Sequence, residues 1–188
     1  MIRVTEDRFD PGQEANDFQA AHLEAGAMVT FTGLVRSHPE APISALILEC
    51  YPQLAENEIA ALREQAIQRF GLADAGIIHR YGRLVPGEPI MMVMTLSAHR
   101  QAAFDAAQFL MDYLKTDAPF WKQEETPAGL QWVAAKAEDD NAQQRWSQTP
   151  PHPALRATFS PRGRRMDRCP LCSAPPRGEG GSAIGQDG

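Results

Sequence analysis

The chain holds three lysines against fifteen arginines, and two of the lysines, Lys115 and Lys122, bracket the segment Lys115-Thr-Asp-Ala-Pro-Phe-Trp-Lys122. A surface that only needs positive charge can use arginine. Lysine adds an ammonium that gives up its proton when desolvated and then serves as base or nucleophile. The third lysine is Lys136. Two further clusters could join the pair. Arg36 ends the run Phe31-Thr-Gly-Leu-Val-Arg36, where a planar guanidinium can grip a phosphate with two parallel bonds. His99-Arg100 follows an apolar run and opens a helical pattern, where unpaired N–H groups and the positive end of the helix dipole favour an anion. Lysines close to other cations, with Phe120 or Trp121 as an apolar wall, suit proton transfer. Each cluster alone also fits ordinary solvated or capping residues, and their joint presence points to a pocket for an anionic substrate.

Elements that would carry these groups can be read from periodicity and punctuation. Ile2–Thr5, Ala27–Val35, Ile43–Tyr51, Ala75–Tyr81 and Ile90–Ser97 read as strands, the last apolar enough to lie at a sheet centre. Asp10-Pro11 is a helix start, and Leu54–Phe70 places apolar residues at 55, 59, 62, 66 and 70 before Gly71 as a C-cap. Arg100–Leu114 reads as a helix with Phe104, Ala107, Leu110, Met111 and Leu114 facing the core. Pro119 stops it, Phe120–Glu124 is extended, and Gln131–Ala135 is a short last strand. Pro86-Gly87 is a turn. Helices and strands are interspersed without regular alternation, which predicts an α+β fold with a mixed or antiparallel sheet.

Composition bounds the rest. The formal charge is −6, and the segment from Thr149 to Gly188, with six arginines and three acids, carries +3, leaving −9 on residues 1–148. An acidic body argues against nucleic acid as the main partner, while a basic pocket within it would draw a small anion. The N-terminus has no signal-peptide core and no apolar run reaches membrane-span length, which predicts a cytoplasmic protein. Of the last forty residues seven are proline and six glycine, so 149–188 is expected to be a disordered tail after a 1–148 domain. Cys169 and Cys172 in that tail are half of a zinc site, and Cys50 and His152 are the loosely placed candidates to complete it. This leaves an alternative to catalysis: an anion- or protein-binding module with a zinc-binding tail.

Taken together, Gly26-Ala-x-Val-x-Phe-x-Gly-x-Val-Arg36, Glu49-x-Tyr51, Ile78-His-Arg80-x-Gly82, Ser97-x-His-Arg100-x-x-Ala-Phe104 and Asp112-x-Leu-Lys115-x-x-Ala-Pro-x-Trp-Lys122-x-Glu124 resemble the large, catalytic subunit of molybdopterin synthase, the MoaE family. The resemblance spans about residues 2 to 146. It implies an α+β fold with an α/β hammerhead element. It also implies sulfur transfer from a thiocarboxylate on the Gly-Gly end of a small ubiquitin-like subunit to cyclic pyranopterin monophosphate, forming the dithiolene of molybdopterin. The implied assembly is a central homodimer of large subunits with a small subunit at each outer end, a heterotetramer. By motif match Lys115 and Lys122 are implied to be catalytic. Arg36, His99 and Arg100 are implied to hold the substrate, Leu34, Val35, Gln123 and Glu124 to line the site, and Lys136 to reach a neighbouring subunit's pocket. None of these steps calls for a metal or cofactor.

Overall fold

The computed structural model describes residues 1–116, 118–133 and 146. Lys136, the 149–188 tail and the pair Cys169 and Cys172 lie outside the described residues.

Helix α1 (Pro11–Ala20) starts where its cap dictates. The Asp10 carboxylate accepts the N–H groups of Gly12 at 2.7 Å and Gln13 at 3.1 Å, and Pro11 occupies the first helical position, where no N–H is needed. Helix α2 (Pro52–Phe70) buries Ala55, Ile59, Leu62, Ala66 and Phe70, the stripe its spacing predicts. It stops at Gly71, whose φ of 63° is left-handed and lets its N–H bond Ile67 O. Helix α3 (Arg100–Thr116) buries Ala103, Ala106, Ala107, Phe109, Leu110 and Leu114, while Phe104, expected to face the core, is 61% exposed.

Among the described residues eight strands form two four-stranded sheets. The first contains β1 (Ile2–Thr5), β4 (Asp74–Arg80), β6 (Pro89–Ser97) and β2 (Ala27–Leu34) in the order β1-β4-β6-β2. Its β1–β4 pair is parallel and the other pairs antiparallel, so the sheet is mixed. Alternation along β4 and β6 sends Ile77, Met91 and Val93 to one face, against Ile59, Leu62, Phe109 and Leu110 of α2 and α3. Ile78, Met92, Met94 and Leu96 go to the other face, against Phe9 and Phe18. Because both faces of β6 are covered, the strand is apolar at nearly every position rather than at every second one.

The second sheet joins β5 (Gly82–Leu84), β3 (Ala45–Cys50), β7 (Phe120–Thr126) and β8 (Gly129–Trp132) in the order β5-β3-β7-β8, all antiparallel. The three-residue strand β5 was not evident in the sequence, where the stretch after Tyr81 offered only the turn at Pro86-Gly87. It is too short to show a period, and pairing with β3 defines it. The last strand also differs from expectation, starting at Gly129 rather than Gln131, because β7 and β8 close a tight hairpin at Thr126. No described helix is long and apolar enough to cross a membrane.

Candidate active site

Arg36 is placed by an irregularity in β2. The β2–β6 register runs evenly from Ala27↔Ser97 to Gly33↔Met91, then shifts so that Leu34 pairs with Pro89. Such a bulge re-aims the side chains after it. Val35 turns inward and is only 3% exposed, packed with Leu46, Leu48 and Leu84. Leu34, 57% exposed, and Arg36 face outward on either side of it. The backbone of Val35 is bonded at both ends to the turn before β6: its N–H donates to Glu88 O at 2.9 Å, and its carbonyl accepts from Gly87 N–H at 2.8 Å.

Lys122 and Glu124 approach the same apolar patch from β7. The register pairs Leu48 with Lys122 and Leu46 with Glu124. Directly paired residues share a face, so both polar groups rise from the side of the sheet on which Val35 packs. Gln123, paired with Ile47, lies on the opposite face with Trp121. Trp121 therefore does not wall the lysines as expected. It meets Tyr51 edge-on at 5.9 Å and lines a groove of about 670 Å³ with Ile47, Glu49, Arg83 and Trp132. Phe120, on the lysine side, is the aromatic that backs the site, and it stacks on His79 at 3.7 Å.

Lys115 sits in the last turn of α3, a favourable place for a cation. The helix starts at the far end of β6, tied there by the Thr95 hydroxyl donating to Ala103 O at 2.8 Å. Seventeen residues of helix, about 24 Å at the usual rise, carry Lys115 back along the sheet toward the Pro89 end. A short link through Ala118, whose carbonyl accepts Phe120 N–H at 2.7 Å, then enters β7. Lys115, Lys122 and Arg36 thus belong to one end of the fold. The side chains of both lysines are exposed, so the desolvation expected for a reactive lysine is not supplied by this chain alone.

His99 and Arg100 stand elsewhere. They follow Ser97, which pairs with Ala27 at the start of β2, whereas Arg36 leaves β2 at its other end. The nine residues of β6 between them span roughly 27 Å at strand rise. Within one chain, then, the anion-binding groups divide between two opposite ends of the first sheet.

Two buried polar groups near the site were not singled out in the sequence for chemistry. His79 is 5% exposed, and its pKa is pushed down to about 4 by burial and, less strongly, by the Lys122 ammonium, against a hydrogen bond to Arg80 O that works the other way. Arg80 is buried beside it and ion-paired with Glu88 at 3.1 Å. The available signal was their position inside an otherwise apolar strand, where a charged or titratable residue must find a partner.

A family model described as MoaE protein matches residues 4–117. The chain belongs to the MoaE family. It is 54% identical over 145 residues to the molybdopterin synthase catalytic subunit of Cereibacter sphaeroides, which covers 77% of this chain and 99% of that protein. Among solved structures it is similar to the molybdopterin biosynthesis MoaE protein from Burkholderia ambifaria, with a TM-score of 0.68, 41% identity and coverage of 78% of this chain and 97% of that one. A chain in the protein–protein complex of subunits 1 and 2 of molybdopterin-converting factor from Helicobacter pylori shares the fold, with a TM-score of 0.61 at 19% identity over 72% of this chain and 90% of that one. Members of the MoaE family are thus the frame in which the positions of Arg36, Lys115 and Lys122 acquire chemical meaning.

Proposed function

We propose that this chain is the catalytic subunit of a molybdopterin synthase acting in the cytoplasm. It transfers sulfur from the thiocarboxylate of a small ubiquitin-like subunit to cyclic pyranopterin monophosphate and so builds the dithiolene. What supports the reading is the membership of the MoaE family together with Lys122 rising beside the patch of Val35, Leu46 and Leu48, Arg36 following Val35, and Lys115 ending the helix that leads into β7.

The roles follow from the chemistry of each group. Arg36 binds the cyclic phosphate as a planar, permanently charged fork. Lys115 acts as the acid–base group while sulfur attacks and the phosphate bridge leaves its carbon. Lys122 keeps the thiocarboxylate ionised and neutralises charge that develops in the transition state. Glu124 rises beside Lys122 and orients its ammonium. Leu34 lines the approach and Val35 underlies it, whereas Gln123 faces the other side of the sheet and takes no part. The partner's Gly-Gly end fits because a narrow channel admits residues without side chains.

His99 and Arg100 join this site by symmetry. One chain holds them a strand length away from Arg36, and a second copy related by a two-fold axis brings its own pair to the first copy's lysines. The same dimer covers the exposed lysines and supplies the desolvation that one chain lacks. Lys136 serves the neighbouring copy's pocket.

The test is reconstitution. The purified chain, mixed with a thiocarboxylated small subunit and cyclic pyranopterin monophosphate, is expected to yield the dithiolene product. A folded, partner-bound chain that forms no product would overturn the reading.

A further inference from the structure

We propose that the buried Arg80–Glu88 ion pair is a positioning device for Arg36, acting through the backbone of the turn at residues 87–88. The inference rests on the reading of Arg36 as a phosphate-binding group.

The pair is enclosed and its groups are heavily bonded. The side chain of Arg80 is 5% exposed. Its Nη1 donates to Glu88 Oε2 at 3.1 Å and to Pro89 O at 3.1 Å, and its Nε and Nη2 donate to Glu6 O at 3.3 and 3.0 Å. The other carboxylate oxygen of Glu88 accepts from Arg8, whose side chain is 72% exposed. The pair therefore stitches the N-terminal segment, the end of β4 and the start of β6 at one point. Burying such a pair brings little net stability over an apolar replacement, and its best-attested use is to fix register.

Register is what this corner needs. Leu34 faces Pro89, which has no N–H for the ladder, so regular pairing cannot continue past Gly33. The chain could leave β2 at several points. Val35 is instead fixed by two backbone bonds, its N–H to Glu88 O and its carbonyl to the N–H of Gly87, which has a φ of 89°. Glu88 holds Val35 through its backbone and Arg80 through its side chain. Arg36 is the next residue, so its Cα is placed before any ligand arrives. A group ordered in advance loses less freedom on binding, and the gain appears as substrate affinity.

The experiment measures kcat and KM for cyclic pyranopterin monophosphate, with saturating thiocarboxylated partner, in wild type, Glu88→Gln, Arg36→Ala and the double variant. Glu88→Gln is expected to raise KM roughly fivefold to tenfold, the factor of one weakened charge-assisted contact, with kcat within about twofold. In the Arg36→Ala background it should raise KM no further. A role confined to stability would lower the amount of active enzyme and leave KM unmoved, which would overturn the proposal. An equal KM effect with and without Arg36 would overturn it too. Gly87→Ala provides a second variant if Glu88→Gln does not fold. No atom lies within 4 Å of the added methyl, so it perturbs the turn only through its positive φ. The same KM pattern is expected of it, and an unchanged KM would count against the proposal. Should Arg36→Ala itself leave KM unchanged, the phosphate reading falls first. Should Arg36→Ala raise KM while the turn variants do not, only the positioning role falls.

Discussion

The imidazole of His79 lies nearly flat on the ring of Phe120, with centroids 3.7 Å apart and planes 19° from parallel. His79 is the penultimate residue of β4, and Phe120 opens β7 two residues before Lys122. The stack therefore couples the two sheets at the base of the lysine site. A carbonyl can only accept, so the contact of His79 Nδ1 with Arg80 O at 2.9 Å places a proton on Nδ1, and burial, which pushes the pKa down to about 4, keeps the ring neutral at pH 7.

That neutrality makes stability depend on pH. The pKa of His79 falls from 6.5 in the unfolded chain to about 4 in the fold. Between these values the unfolded chain takes up a proton that the folded chain refuses. Stability is therefore whole above pH 6.5 and declines as the pH drops toward 4, by about 3 kcal/mol in full. His79→Phe keeps an aromatic ring against Phe120 and cannot titrate. Urea denaturation at pH 7 and pH 4.5 should show wild type losing about 2–3 kcal/mol more than the variant. Equal losses in the two proteins would refute the assignment.

Lys115→Ala should separate chemistry from folding. The side chain is exposed in the last turn of α3, where its favourable effect on the helix is about 0.3–1 kcal/mol. Turnover should fall by at least about 10²–10⁴, the usual contribution of a positioned acid–base group. Thermal melting and partner binding should stay close to wild type. Wild-type turnover in this variant would remove Lys115 from the mechanism.

Mixed dimers test whether two copies build each site. If Lys115 of one copy works with Arg100 of the other, Lys115→Ala and Arg100→Ala homodimers are both inactive, yet each heterodimer keeps one intact site. After random reassociation of equal amounts, about one quarter of wild-type activity should return. A mixture as inactive as its components would mean that each chain carries its own complete set.

Trp146 should anchor the end of the domain. Its indole meets Phe70 and Phe109 edge-on at 5.8 and 5.5 Å, and its Nε1–H donates to Asp112 Oδ2 at 2.7 Å. Trp146→Ala should cost about 3–5 kcal/mol, the range for a large buried aromatic whose removal leaves a hole. A chain ending at residue 148, the boundary expected from composition, should keep the full stability. Denaturant midpoints of the two variants would check both statements.

The sequence alone settled what depends on near neighbours. Asp10-Pro11, the 55-59-62-66-70 stripe and Gly71 announced two helices because caps and helical faces involve residues within about four positions. The apolar run 90–97 announced a central strand, and the ordered motifs around Arg36, His99, Lys115 and Lys122 led to the MoaE family. Tertiary structure decided what depends on distant partners. Pairing with β3 turned Trp121 away from Lys122, and a one-residue slip against Pro89 buried Val35 and turned Arg36 outward. Packing between sheets gave His79 its neutral ring, and the length of β6 parted His99 and Arg100 from the lysines. Which face a strand residue takes, and what lies opposite it, is set by a partner far away in the chain, and no local periodicity carries that information.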